Sequence, residues 1–257
     1  LLEEDLSQKT LGYWDEYIKQ IDDVVDLSYF KNNDDEIVYV SHFDLDKKLV
    51  EKLSDFCNSK SISKASFLLT CYQALLYKYS GQESFTISMP FNVRDLNNIQ
   101  DVIGMFVKNL PIVFKNHGTI NDILQLNNQT IINHRINQNC NLMDIHNNIP
   151  RDAKSFFETR FEYLNINKIG DTKNDLNNSI SELNKYKDVQ KNLLFSFLEN
   201  NENNISLRIN TKLLSKYQVD NIYKHFINIM QYFIENSDKT LDDFSCITEN
   251  EKNLILN

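Results

Sequence analysis

A chain of 257 residues with 41% hydrophobic and 25% charged residues is long enough to bury a sizeable core and has an ordinary globular composition, which excludes an intrinsically disordered chain. A formal net charge of -9, with lysine and arginine dispersed, argues against binding bulk nucleic acid, and no apolar run approaches the roughly 20 residues of a membrane-spanning helix. The first ten residues lack the basic start and apolar core of a secretory signal, so the cytoplasm is the default expectation.

In chain order, Leu6, Leu11, Trp14, Tyr17, Ile18 and Ile21 fall near one helical face, interrupted by Gly12. The polar stretch 31–36 reads as a solvated loop, and Val38, Val40 and Phe43 as a strand. Asp44 or Asp46 can cap the next helix, whose stripe is Leu45, Leu49, Leu53, Phe56 and Cys57. Ser61 or Ser63 restarts the chain into a helix with apolar residues from Phe67 to Tyr79 on more than one side. It is expected to be the most buried helix.

The chain has only 5 glycines and 3 prolines, and Gly81, Pro90, Gly104 and Pro111 fall together between Tyr79 and Val113. Gly81 can take the left-handed conformation that stops a helix. Phe85, Ile87 and Met89 alternate with polar residues as in a half-buried strand, which Pro90 is expected to end before a loop carrying Arg94. Ile103 to Val107, closed by Leu110-Pro111, reads as a second strand.

Further on, Thr119 is expected to cap a helix to Arg135, with Ile120, Ile123, Leu124, Leu126, Ile131 and Ile132 on or near one side. A helix should continue from Met143 to Ile149. A strand through Phe156–Leu164 would set Phe157, Phe161 and Tyr163 against Arg160 and Glu162, and 165–180 reads as a long loop. Leu193-Phe195-Phe197 and Ile205-Leu207-Ile209 form a predicted hairpin turning at Glu199–Asn204, followed by an amphipathic helix from Lys216 to Glu235.

The central window resembles the condensation domains of nonribosomal peptide synthetases. Their C-terminal lobe carries a sequence close to YSGQxDxxIGxPxxGR followed by IGxFVNTLPxR. The counterparts here are Tyr79, Ser80, Gly81, Gln82, Ile87, Pro90 and Arg94, then Ile103, Gly104, Phe106, Val107, Leu110 and Pro111, with spacing kept. Ser88 and Val93 replace glycines, and Lys108-Asn109 stand for the family's Asn-Thr. Tyr13, Trp14 and Ile18 resemble a YWxxxL helix, Asn137-Gln138 part of an [HN]QD motif, Arg151-Asp152 the start of an RDxSRNPL segment, and Asn210-Thr211 a YNT motif. Residues 244–252 resemble the linker to an adenylation domain.

What the resemblance implies is an α/β fold, a mixed β-sheet with helices packed mainly on one face, forming one lobe of the chloramphenicol acetyltransferase-like fold. Residues 1–244 would be the C-terminal lobe and 245–257 the start of the linker. The implied reaction is amide bond formation between thioesters carried on phosphopantetheine arms. The implied partners are acyl or peptidyl carrier domains, an N-terminal condensation lobe and an adjacent adenylation domain, without nucleic acid or membrane. The family's catalytic HHxxxDG is absent: His42, His117, His134, His146 and His225 include no adjacent pair. An isolated lobe is therefore expected to be inactive, with no catalytic residue of its own and no directly bound cofactor. Arg94, Asn109 and Lys108 are the candidates for lining the tunnel or supporting the active site. The alternatives are a non-catalytic docking module for carrier or adenylation domains, and a half-enzyme completed by a separate N-terminal lobe. The related epimerization domains match IGMFVKNLP less well.

Other chemistry is poorly supported by spacing. Cys57, Cys71, Cys140 and Cys246 are far apart, form no Cys-x-x-Cys pair and suit reduced thiols, so no metal site is expected. No GxSxG elbow presents a serine nucleophile, and His42 reads as a structural strand histidine.

Overall fold

The computed structural model describes residues 2–30, 38–92, 106–165, 192–200, 204–247 and 251–253. These form six α-helices, α1 (Leu2–Ile18), α2 (Lys47–Lys60), α3 (Lys64–Ser80), α4 (Ile120–Ile136), α5 (Leu142–Asn148) and α6 (Lys216–Glu235), and a 3-10 helix over Arg151–Glu158. Six described strands, β1 (Tyr39–Asp44), β2 (Ser84–Asn92), β3 (Val107–Lys115), β4 (Thr159–Asn165), β5 (Leu193–Glu199) and β6 (Ile205–Thr211), make one sheet in the order β1-β6-β5-β4-β2-β3. It is mixed: β4 runs parallel to β2 and β5, and the other pairs are antiparallel. The fold is α/β, a mixed sheet with helices packed mainly on one face, as expected.

Local chemistry sets the element ends. The Asp46 carboxylate accepts from Leu49 N at the start of α2, and Ser63 accepts from Ser66 N at the start of α3. Ser61 ends α2 with a φ of 55°, a left-handed conformation rare outside glycine. Gly81 ends α3 with φ 68°, donating its N–H to Tyr77 O. Capping boxes start α4 (Thr119 with Asp122) and α6 (Ser215 with Gln218).

The core lies between the helices and one sheet face. Residues Ser66 to Tyr77 of α3 are all buried, so α3 is the central helix. Ring contacts join Tyr72 to Phe161 and Phe195, Tyr77 to Phe114, and Phe226 of α6 to Phe195 and Phe197. Phe43 of β1 stacks on Tyr223 at 4.0 Å. With period-2 alternation, these contacts assign every strand's second set of side chains to the opposite face.

Both proline expectations need correction. β2 passes through Pro90, paired with Asn109, and β3 passes through Pro111, paired with Ser88. The N–H of Thr86 donates to Asp23 O, away from β3, so two-residue periodicity also turns the nitrogens of Ser88 and Pro90 away from β3. The N–H of Val113 donates to the Tyr17 hydroxyl beyond the sheet edge, so Pro111 faces the edge as well. Neither proline removes a bond from the β2–β3 ladder. The second strand begins at Val107, and Ile103 to Met105 lie outside the described residues. β2 is buried on both faces rather than half-buried.

Two further readings shift. Phe156 and Phe157 belong to the 3-10 helix, and β4 starts only at Thr159. Leu126 and Ile132 are exposed, so the buried side of α4 is narrower than its apolar content suggested. The loop read over 165–180 lies, after Asn165, outside the described residues.

Candidate functional site

On the face opposite the helices, pairing registers align side chains from neighbouring strands. One row joins Val40, Asn210, Leu194, Arg160, Ser88 and Pro111, and the next joins His42, Arg208, Ser196 and Glu162. Asn210 and Ser88 are fully buried, whereas His42 at the β1 edge and Leu164 beyond Glu162 are exposed. This face therefore deepens towards the first row.

It is polar and incompletely satisfied. Arg160 Nε lies 2.9 Å from Glu162 Oε1, off the line of a hydrogen bond, with both side chains a little under one-fifth exposed. The Ser88 hydroxyl donates to Thr159 O at 3.3 Å. Thr86 Oγ1, Asn109 Oδ1 and both polar atoms of the Asn210 carboxamide are buried without a hydrogen-bond partner. Such groups cost free energy wherever they stay dry, so their gathering on one face marks a surface able to accept further hydrogen bonds.

The sequence candidates separate. Asn109 belongs to this polar face through its pairing with Pro90. Lys108, its neighbour, is on the helix side, where its ammonium donates to Gln138 O at 3.0 Å and Cys140 O at 2.6 Å. It tethers the α4–α5 loop. Arg94 lies outside the described residues.

The side chains that carry acid–base or nucleophilic chemistry elsewhere are committed to structure. His134 is completely buried between α1 and β3. Its Nε2 meets the Pro111 carbonyl at 2.9 Å, an acceptor only, so Nε2 carries the proton and Nδ1 accepts from the Tyr13 hydroxyl at 2.6 Å. Burial lowers its pKa to about 4, with the Pro111 bond opposing, so the ring is neutral at pH 7. Trp14 Nε1 beside it donates to Asn137 O. His225 of α6 lies between the Tyr79 hydroxyl (2.6 Å to Nδ1) and Glu251 (2.8 Å from Nε2), holding the tail against α3 and α6. Asn228 Nδ2, donating to Cys246 O, and Phe244, stacked near Tyr232, complete that strap.

A further buried cluster was not legible beforehand. Glu199 at the end of β5 accepts from Lys64 Nζ at 2.5 Å, from Asn165 Nδ2 at 2.5 Å and from the Tyr163 hydroxyl. Burial, then Glu199 itself, raises the Tyr163 pKa. The cysteines are free thiols; burial pushes Cys57 up to about 12 and Cys71 well above its ordinary value. Thiols so held are poor nucleophiles, and no group of three or more potential ligand side chains gathers among the described residues. No described helix is long and apolar enough to cross a membrane.

The condensation domain family model matches residues 1–256. The chain belongs to that family. Bacitracin synthase 3 of Bacillus licheniformis is 27% identical over 222 residues, covering 83% of this chain and 4% of that protein. The four-domain nonribosomal peptide synthetase holo-AB3403, bound to AMP and glycine, superposes with a TM-score of 0.76 at 11% identity, over 95% of this chain and 20% of that one. The X-domain in its complex with OxyB from teicoplanin biosynthesis gives a TM-score of 0.74 at 12% identity, over 95% of this chain and 56% of that one. The condensation-domain resemblance drawn from the Tyr79–Val113 window thus holds over almost the whole chain, and the fold is shared with these structures. The chain spans a small fraction of the synthetase it matches.

Proposed function

We propose that this chain is the C-terminal lobe of a condensation domain and contributes to amide bond formation between carrier-bound thioesters. The observation that carries the reading is the family match over residues 1–256 in a sequence without HHxxxDG. In the reaction the amine of an acceptor aminoacyl group attacks the donor thioester carbonyl. A C–N bond forms, the C–S bond breaks, the amine loses a proton and the donor carrier's phosphopantetheine leaves as the thiol. A histidine in the other lobe would position the attacking amine, while this lobe supplies a wall and part of the carrier docking surface.

The polar sheet face is the wall we assign to the cargo, with Asn109 on it. Arg94 would support the active site from the β2 loop, its guanidinium suited to holding a carboxylate of the other lobe. Lys108 acts indirectly, by fixing the loop that carries Gln138. Residues 245–257 would lead to an adenylation domain, with the His225–Glu251 contact holding the start of that linker.

The test mixes the purified chain with a separately produced N-terminal lobe carrying HHxxxDG and with donor and acceptor carrier domains bearing aminoacyl thioesters. Mass spectrometry follows the acceptor carrier. The expected result is no product from the chain alone and a dipeptidyl thioester when the lobe is added. Binding of carriers without product in the complete mixture would favour a docking module instead. Failure to bind the lobe or either carrier would overturn the reading.

A further inference from the structure

Asn210 is the most unusual residue of the polar face. Its side chain is fully buried, yet neither Oδ1 nor Nδ2 has a hydrogen-bond partner. Some other amides are served, Asn127 Nδ2 donating to Thr70 and Gln73 and Asn165 Nδ2 to Glu199. Gln138 in the α4–α5 loop is the other carboxamide with both functions unpartnered among the described residues, and Asn210 alone of the two stands on a strand of the polar face. A carboxamide shut away with both of its functions unused costs free energy, and valine or threonine would fill that strand position without the cost.

The register places Asn210 level with buried Leu194 and with Arg160, while Arg208, Ser196 and Glu162 of the row beside it are partly exposed. A chain lying across the strands from the partly exposed row reaches Asn210 last. The carboxamide offers a donor and an acceptor side by side. The complementary unit is an extended aminoacyl residue, whose N–H and C=O on either side of one α-carbon point the same way, as they do along a β-strand edge. A lone ester or thioester satisfies only the donor, and a free carboxylate leaves the acceptor bare and brings a charge into a buried site.

We infer that Asn210 is a specificity residue that binds the N–H and C=O of an N-acylated aminoacyl thioester on the sheet face opposite the helices. The inference rests on the condensation reading for the source of that ligand and deepens it: the lobe distinguishes a donor already carrying an amide from a simple acyl group.

The probe is the N-acetylcysteamine thioester of N-acetylglycine, titrated into the full chain with an isotope label on asparagine side chains. The two Nδ2 protons of Asn210, assigned by their loss in Asn210→Ala, should shift on binding, and the acetoxyacetyl thioester, in which oxygen replaces the N–H, should bind about tenfold more weakly. Unmoved Asn210 signals at millimolar probe, or equal affinity for the two thioesters, would overturn the inference. Asn210→Thr, a good strand former, provides a second variant if alanine fails to fold. In the two-lobe condensation assay the threonine variant should lose its preference for N-acylated over simple acyl donors while still turning over. Unchanged preference in an active assembly would refute the role of Asn210 and leave the condensation reading intact, whereas an inactive wild-type assembly that still binds the probe through Asn210 would do the reverse.

Discussion

The neutral state of His134 makes a pH dependence that is calculable from the structure. Its folded pKa is about 4, against an ordinary value of 6.5, chiefly through burial. Between those values the unfolded chain takes up a proton that the folded chain refuses. The contribution of His134 is complete above pH 6.5, declines as pH falls through that window, and levels off below about 4. At 1.36 kcal/mol per unit of pKa, the total is about 3 kcal/mol, with a limiting slope of one proton. Glutamine at position 134 keeps a donor for the Pro111 carbonyl and an acceptor for Tyr13 without titrating. Urea unfolding of the wild type and His134→Gln from pH 7.5 to pH 4 measures the difference directly, because carboxylate contributions common to both cancel. The wild type should lose about 3 kcal/mol relative to the variant over that range. Parallel pH profiles, or a folded-state imidazole resonance titrating near 6.5, would refute the reasoning.

Removing Glu199 by Glu199→Ala strands Lys64, Tyr163 and Asn165 in a buried site and should cost about 3–5 kcal/mol. Adding Lys64→Met to that variant should restore part of the loss, a coupling that denaturant unfolding of the four proteins of the cycle measures. Gly81→Ala should cost about 1 kcal/mol: an added Cβ meets nothing within 4 Å, so only the left-handed φ of 68° is penalised, and thermal melts will show it. Lys108→Met should destabilise the protein by about 2 kcal/mol through loss of the carbonyl tether. Asn109→Ala, which deletes an unpartnered acceptor, should leave stability unchanged or slightly raised while slowing the two-lobe condensation assay.

Local signals were read well from the sequence because their causes are local. Ser63, Thr119 and Gly81 act within one turn of chain, and the alternation of Phe161 and Tyr163 with Arg160 and Glu162 fixes faces once a strand exists. Pro90 and Pro111 were misread because a proline's cost to a sheet depends on which way its nitrogen points. That direction follows from Thr86 bonding to Asp23 and Val113 to Tyr17, contacts set by tertiary packing. His134 gave no sequence signal since its partner Tyr13 is 121 residues away. The Glu199 cluster likewise joins three strand and helix ends. Of the proposed site residues, the motif resemblance found Asn109 and noticed Asn210 only as part of a YNT match; what singles out Asn210 is its lack of a partner, which only packing can reveal.

Prominent charged and titratable groups of this protein pair off on the helix side of the sheet, and the gathering of unpartnered side chains on the strands of the other face supports assigning the ligand there. On the helix side these titratable groups are answered, His134 by Tyr13 and Pro111, Glu199 by Lys64 and Tyr163, Lys108 by two carbonyls, while the Gln138 carboxamide and Gln73 Nε2 are not. Those bonds fix a single packing and leave little capacity for anything else. On the opposite face Thr86, Asn109 and Asn210 retain unused donors or acceptors at positions where apolar strand formers would be more stable. The helix side has its unpartnered amides in a helix and a loop, whereas the unpartnered groups of the opposite face stand on strands of one sheet. A surface that gives up folding free energy to keep hydrogen-bonding groups vacant recovers it only when something binds there. Under the function proposed above, the extended amide-bearing chain that a carrier domain would deliver has the matching groups.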